Sequence, residues 1–312
     1  MNLTSFKINL FANQKFKLSK KYFSTTQQEL FRKKSAEILD NFFFDCIDAL
    51  NIKEFIECGA GNAYASKKLS IKGVNAIALE ANPLTFDKLT LPDSNKVKCF
   101  NIGVGAIDEE IDFYIPLNNP IAGNATFQPK EFDSYIKKKV KVVKLDNLLN
   151  DLQFGSHLGA LWIDVEGYQK KFLEGAKNYI QNPNLLTVKI EVEQIEHFKG
   201  SITSEFIDDI FKRFGFEPIF CDDEYNTQFN VVYIRKSSID SISLLLEKAV
   251  FELNTYNPGL NETLNLLFKN ERQSVLSYFK QKAIEIFGIK IGNKLAAFFG
   301  SKTSKQTHRV KF

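Results

Sequence analysis

A chain of 312 residues, 44% hydrophobic and 25% charged, is long enough to bury a full-sized core and too apolar for an intrinsically disordered protein. Its net charge of +4 is not spread evenly: residues 237–312 carry eleven Lys/Arg against six Asp/Glu, and the rest is close to neutral. No run of about eighteen apolar residues is present, which excludes an ordinary membrane-spanning helix, and the four scattered cysteines (Cys46, Cys58, Cys99, Cys221) form neither a C-x-x-C pair nor a disulfide framework.

The first stretch, "MNLTSFKINLFANQKFKLSKK", interrupts its apolar residues with Lys and Asn and lacks the continuous core of a signal peptide. Together with the unpaired cysteines, this points to a reducing, cytoplasmic setting. Residues 1–50 read as a helical segment, clearest over "QQELFRKKSAEILDNFFFDCIDAL".

From residue 53 onward, β-rich runs alternate with helical patterns, the signature of a mostly parallel sheet between helices. The expected strands are 54–58, 74–79, 97–104, 160–164 and 185–192. They are nearly all apolar without alternation, as strands covered on both faces are. Helices are expected at about 63–71, 83–90 and 167–180, the last stopped by Asn182-Pro183. An insertion over 105–151 carries two β-like runs, "EIDFYIP" and "VKVVKL", around the polar loop "NNPIAGNATF". A helix near 203–214 then precedes a hairpin of "FEPIFC" and "QFNVVYIRK", joined by "DDEYNT", which would add an antiparallel partner to the sheet. Residues 240–299 are helical in pattern, with interruptions at Asn257-Pro258-Gly259 and near Gly288. The chain is thus expected to hold a catalytic domain over 51–236, flanked by a helical segment (1–50) and a basic helical extension (237–312).

The loop "FIECGAGNAYAS" is a strand, a tight turn and a helix start. Glycine at 59 permits the turn, and glycine at 61 lets a ligand approach the backbone. A dinucleotide fingerprint would need a third glycine where Tyr64 stands, and no G-K-[ST] follows to make a P-loop. Glu57 would repel a pyrophosphate and suits a ligand with a cationic amino-acid portion. Glu80, in "AIALEANP", ends the second strand, where a carboxylate can accept ribose hydroxyls. A ribose joined to a cationic moiety describes S-adenosylmethionine better than NAD.

Four blocks, "FIECGAGNAYAS", "AIALEANPLTFDKL", "VKVVKLDNLL" and "LWIDVEGYQKKFLEGA", together with "LLTVKIEVE", are similar to those of the FkbM family of class I methyltransferases, over about residues 52–235. The resemblance implies a Rossmann-like α/β fold, a three-layer sandwich around a seven-stranded sheet. It also implies methyl transfer from S-adenosylmethionine to a hydroxyl of a sugar, glycolipid precursor or natural product. Carried over by position, Glu57, Gly59, Ala60 and Gly61 would hold the methionine end, Glu80 with Ala81 the ribose, and Asn101 to Gly103 the adenine side. One departure is Ala63, which stands where the family's first block ends in glycine.

Loss of the acceptor's proton calls for a base at the carboxyl ends of the strands, where open α/β sheets bind ligands. Asp164, closing the fourth core strand, could orient the donor's ammonium group, take the acceptor's proton, or both. Glu166 reads equally well as a catalytic group or as a first-turn acid of the following helix. Glu191 ends the fifth core strand near the same crevice, and His197, in "EQIEHF", is the histidine nearest a plausible rim. The spacing of Asp164, Glu166 and Glu191 does not demand a metal.

Two further readings remain open from the residues: a NAD-dependent oxidoreductase or epimerase, and a catalytically silent binding domain, suggested by Ala63. The helical flanks would cover an acceptor pocket or build a homodimer. The basic tail could touch an anionic lipid surface, and no motif for nucleic acid is present.

Overall fold

The computed structural model describes residues 25–90, 95–121, 125–127, 134–196, 200–223 and 227–256. The chain divides into two compact units, Met1–Asn257 and Pro258–Phe312, and all described residues belong to the first. The expected helices beyond residue 256 lie outside the described residues.

Seven strands form the main sheet, in the order β3-β2-β1-β7-β8-β10-β9. They are β1 (Glu54–Cys58), β2 (Asn75–Leu79), β3 (Val97–Phe100), β7 (Gly159–Ile163), β8 (Leu185–Glu193), β9 (Phe216–Cys221) and β10 (Gln228–Arg235). All neighbours from β3 to β8 pair in parallel, whereas β10 runs antiparallel to both β8 and β9. The order reverses between β1 and β7, so the carboxyl ends of these two strands flank a crevice at the switch point.

Both faces of the sheet are covered, which is why its strands read as unbroken apolar runs. On one face, Phe55, Ala76, Ala160 and Val232 join the aromatic side of α1 (Thr25–Ala49), with α2 (Tyr64–Ile71) and α8 (Ser243–Tyr256) beside it. On the other, Ile56, Ile77, Leu161 and Val188 pack against α4 (Leu145–Asp151), α5 (Gln169–Gly175), α6 (Lys177–Gln181) and α7 (Ser204–Arg213). No helix among the described residues is long and apolar enough to cross a membrane.

Three expected elements differ in detail. The helix expected over 83–90 is only the short α3 (Pro83–Phe86), capped by the Asn82 side chain through Leu84 N. The run 97–104 is not one strand. It leaves the main sheet after Phe100, and Gly103–Val104 (β4) joins a second sheet, β4-β6-β5, with β5 (Glu109–Pro116) and β6 (Tyr135–Val143). The helix expected over 167–180 starts later and breaks at Ala176, which takes a non-helical φ of −109°. The break has two visible causes: Gly175 lies so close to the Gly105 carbonyl that a Cβ would sit 1.8 Å from it, and the Asp146 carboxylate accepts hydrogen bonds from Asn178 N and Tyr179 N, both 2.9 Å.

One charged contact fastens α1 to the sheet. Lys189, 3% exposed in the middle of β8, donates to Asp40 of α1 at 2.5 Å, and its ammonium lies 3.4 Å from the centre of the Trp162 ring. A buried ammonium needs such partners. Asp40→Asn is expected to cost about 2 kcal/mol, less than for a fully buried pair because Asp40 is partly exposed. The double variant Asp40→Asn/Lys189→Met should recover much of that loss, which denaturant unfolding would measure.

Candidate active site

A cleft of about 100 Å3, open to solvent on one side, lies at the switch point. Its floor is the loop after β1. Gly59 (φ +75°) is required there, because a Cβ would lie 1.6 Å from the Asp164 carbonyl oxygen. Gly61 (φ +53°) faces open space instead, so the glycine leaves room above the loop. The loop is strapped to the end of β2 by Gly59 N and Ala60 N, which both donate to the Leu79 carbonyl at 2.9 and 3.0 Å.

Two glutamates hold this loop from opposite sides. Glu80 lines the cleft, and its carboxylate accepts from Gly61 N at 2.6 Å and Asn82 N at 2.7 Å. Burial, reinforced by the charges of Asp164 and Glu57, pushes its pKa up to about 7 against those two bonds. Each oxygen keeps a lone pair for a ribose hydroxyl. Glu57 is not among the residues that line the cleft: its carboxylate accepts from Ser66 N (2.8 Å) and Ala65 N (3.3 Å), the first turn of α2. Through these bonds Glu57 braces the loop by way of the helix that follows it.

Ala60 and Ala63 are buried and pack on Ala78, and neither lines the cleft. Ala63 takes the left-handed conformation (φ +55°) that a glycine would adopt more freely, but its methyl group points into the core and not toward a ligand. Asn101 likewise braces rather than binds, its side chain donating to the carbonyls of Glu80 (2.8 Å) and Ala81 (3.3 Å). Ala81, Ile102 and Gly103 do line the cleft, with Asn82, Phe113 and Phe127, three residues that sequence reasoning did not assign. Phe113 and Phe127 come from the insertion, and no local pattern marks their arrival.

At the other end of the cleft stand three acids. Asp164 follows β7, Glu191 ends on β8, and Glu166 comes from the turn before α5, with carboxylate oxygens all within 4.8 Å of one another. This cluster could share protons or hold a divalent cation. Glu166 does not cap α5. It sits in a left-handed conformation (φ +39°) next to Gly167 (φ +82°), which delays the helix to Gln169 and carries its carboxylate to the other two. Glu191 accepts from Gln228 Nε2 at 2.9 Å. Burial pushes the Asp164 and Glu191 carboxyls up, and for Glu191 the charges of Asp164 and Glu166 push it further. The fourth candidate, His197, lies outside the described residues.

No Lys, Arg or His lines the cleft among the described residues. Such a surface repels a pyrophosphate and accommodates a sulfonium and an ammonium group. Sheet order, the glycine loop after β1 and the acid after β2 thus have the arrangement of a class I methyltransferase. The model of the FkbM methyltransferase domain matches residues 57–218, over half of the chain, and the chain belongs to that family. It is a methyltransferase dependent on S-adenosylmethionine, which sets aside the NAD reading.

No curated protein matches the chain. Three solved structures are similar at low identity. Magnesium protoporphyrin IX methyltransferase (ChlM) from Synechocystis PCC 6803 with bound S-adenosylmethionine is 10% identical, over 75% of this chain and 92% of that chain, with a TM-score of 0.39. The 1,6-didemethyltoxoflavin-N1-methyltransferase of Burkholderia thailandensis is 10% identical, over 66% and 77%, with a TM-score of 0.31. A TehB-like methyltransferase of Corynebacterium glutamicum is 11% identical, over 62% and 88%, with a TM-score of 0.33.

Gly59→Ala is expected to lose S-adenosylhomocysteine binding in calorimetry and at least about 3 kcal/mol of stability, since backbone and not side chain must move. A pH dependence follows from the three acids. Glu80, Asp164 and Glu191 hold their protons more tightly folded than unfolded. The stability they contribute is complete below the unfolded carboxyl range and lost as pH rises through the folded values. The urea midpoint of the ligand-free protein should therefore fall between about pH 4.5 and 7, and Glu191→Gln should flatten the fall.

Proposed function

We propose that the enzyme methylates a hydroxyl group of a carbohydrate, glycolipid precursor or natural-product metabolite. The observation that carries this reading is the group of three carboxylates, Asp164, Glu166 and Glu191, beside the donor cleft. When bound, S-adenosylmethionine supplies a methyl group on a sulfonium that one nucleophile can displace. The loop from Gly59 to Gly61 and the Glu80 carboxylate fix the position of that group.

Asp164 has two tasks in this reading. Its backbone carbonyl seats the Gly59 turn, and its side chain accepts the proton that the acceptor hydroxyl loses as its oxygen attacks. A carboxyl pushed upward by burial is a stronger base than a solvated one. Glu191, raised further by its two acidic neighbours, stores the proton or passes it outward, and Gln228 orients it. Glu166, which lines the cleft beside Asp164, faces the acceptor. The cytoplasmic setting goes with four cysteines that are all free thiols. Pairing of two chains through the helical flanks is part of the same reading.

A screen with radiolabelled S-adenosylmethionine across sugars, glycolipid precursors and natural-product alcohols tests the acceptor class. An ether product stable to base is expected. Label found only on nitrogen or carbon would refute the oxygen reading. With a confirmed acceptor, Asp164→Asn should leave the fold and donor affinity largely intact and lower kcat by about 100-fold or more. A wild-type rate in that variant would remove Asp164 from the mechanism.

A further inference from the structure

The turn between β7 and α5 takes two consecutive left-handed residues, Glu166 (φ +39°) and Gly167 (φ +82°). Glycine adopts this conformation freely, but glutamate does so only where the surroundings hold it there. The holding contact comes from a distant part of the chain. Thr126, in the insertion loop, donates its hydroxyl to the Glu166 carbonyl oxygen at 2.7 Å.

Thr126 is itself firmly placed. It is 1% exposed, and its backbone exchanges two hydrogen bonds with Tyr114 of β5, at 2.8 and 3.0 Å. Its neighbours Ala125 and Phe127 line the donor cleft, whereas Thr126 does not. Phe127 packs between Phe113 and Tyr168, with ring centres 4.7 and 4.6 Å away. Asp164, Val165 and Glu166 line the same cleft. The Thr126 hydroxyl therefore ties the insertion to the turn in which Glu166 holds a left-handed backbone.

We propose that Thr126 is a positioning residue, which latches the insertion to the left-handed turn at Glu166 and so sets the width of the donor cleft without touching the donor. Without the hydroxyl, Glu166 would relax toward an ordinary φ, and the Asp164 carbonyl would shift against Gly59. Donor affinity then depends on a side chain outside the contact shell. The proposal rests on the donor site alone and is independent of the acceptor's identity.

The test is calorimetric titration of the full chain with S-adenosylhomocysteine, with thermal midpoints measured alongside. Thr126→Val, which keeps the shape and removes the donor, is expected to weaken binding about 10-fold, the scale of one buried hydrogen bond. Thr126→Ser should stay within about twofold of wild type, because it keeps the hydroxyl. Adding Glu166→Gly to Thr126→Val should restore most of the affinity, since glycine holds the left-handed turn without a latch. A Thr126→Val variant with wild-type affinity would overturn the latch. So would a loss that Glu166→Gly leaves unrepaired, because Thr126 would then act by packing within the insertion. Failure of the wild-type chain to bind S-adenosylhomocysteine would overturn the donor site and the latch with it.

Discussion

The molecule turns on a backbone contact at the sheet's switch point, where the Asp164 carbonyl occupies the space a side chain on residue 59 would need. That contact brings the end of β7 against the loop after β1 closely enough to make one continuous floor. The loop is then fixed from two sides by acids with different tasks. Glu57 holds it from behind through the first turn of α2, and Glu80 holds it from the ligand side through Gly61 N. A donor entering the cleft meets a loop whose amides are already committed, so little ordering remains to be done on binding.

Charge on the α1 face of the sheet is arranged in tiers. Lys189 and Trp162 lie beneath, tied to Asp40 of α1, and Asp164, Glu166 and Glu191 stand above at the strand ends. The Lys189 ammonium favours the ionised form of Asp164, yet burial is the larger influence and the carboxyl is pushed up. The balance matters for chemistry. An acid fully compensated by Lys189 would be a weak base, and one without any cation nearby would stay protonated through neutral pH.

Much of this was legible in the chain itself. The strands of the main sheet are continuous apolar runs because both faces are covered, and the positions of Gly59 and Glu80 at the cleft follow from strand ends that local pattern locates well. What escaped depends on parts of the chain that meet only in three dimensions. Glu57 lies at a strand end like Glu80, but its carboxylate is taken up by the amides of Ala65 and Ser66 at the start of α2, which proximity in sequence does not reveal. The helix after β7 looks unbroken over 167–180, and only the approach of Gly105 and the Asp146 cap divide it. Glu166 was balanced between cap and catalytic group, and its left-handed backbone turns it toward the other acids. Phe113, on β5 of the second sheet, and Phe127, between β5 and β6, come from an insertion whose two β-like runs give no sign of where they pack.

The acidic end of the cleft also bears on which atom receives the methyl group. An amine acceptor arrives protonated, and three neighbouring carboxylates would stabilise its ammonium form, tying up the lone pair that must attack. A hydroxyl gains from the same surroundings. It is neutral on entry, so it suffers no penalty from lacking a cation, and it becomes acidic as its oxygen takes on the methyl group, when a carboxylate within reach can accept the proton. The cluster thus hinders one nucleophile and assists the other. The oxygen acceptor proposed above draws on this difference, which lies in the chemistry of the site and not in any likeness to other proteins.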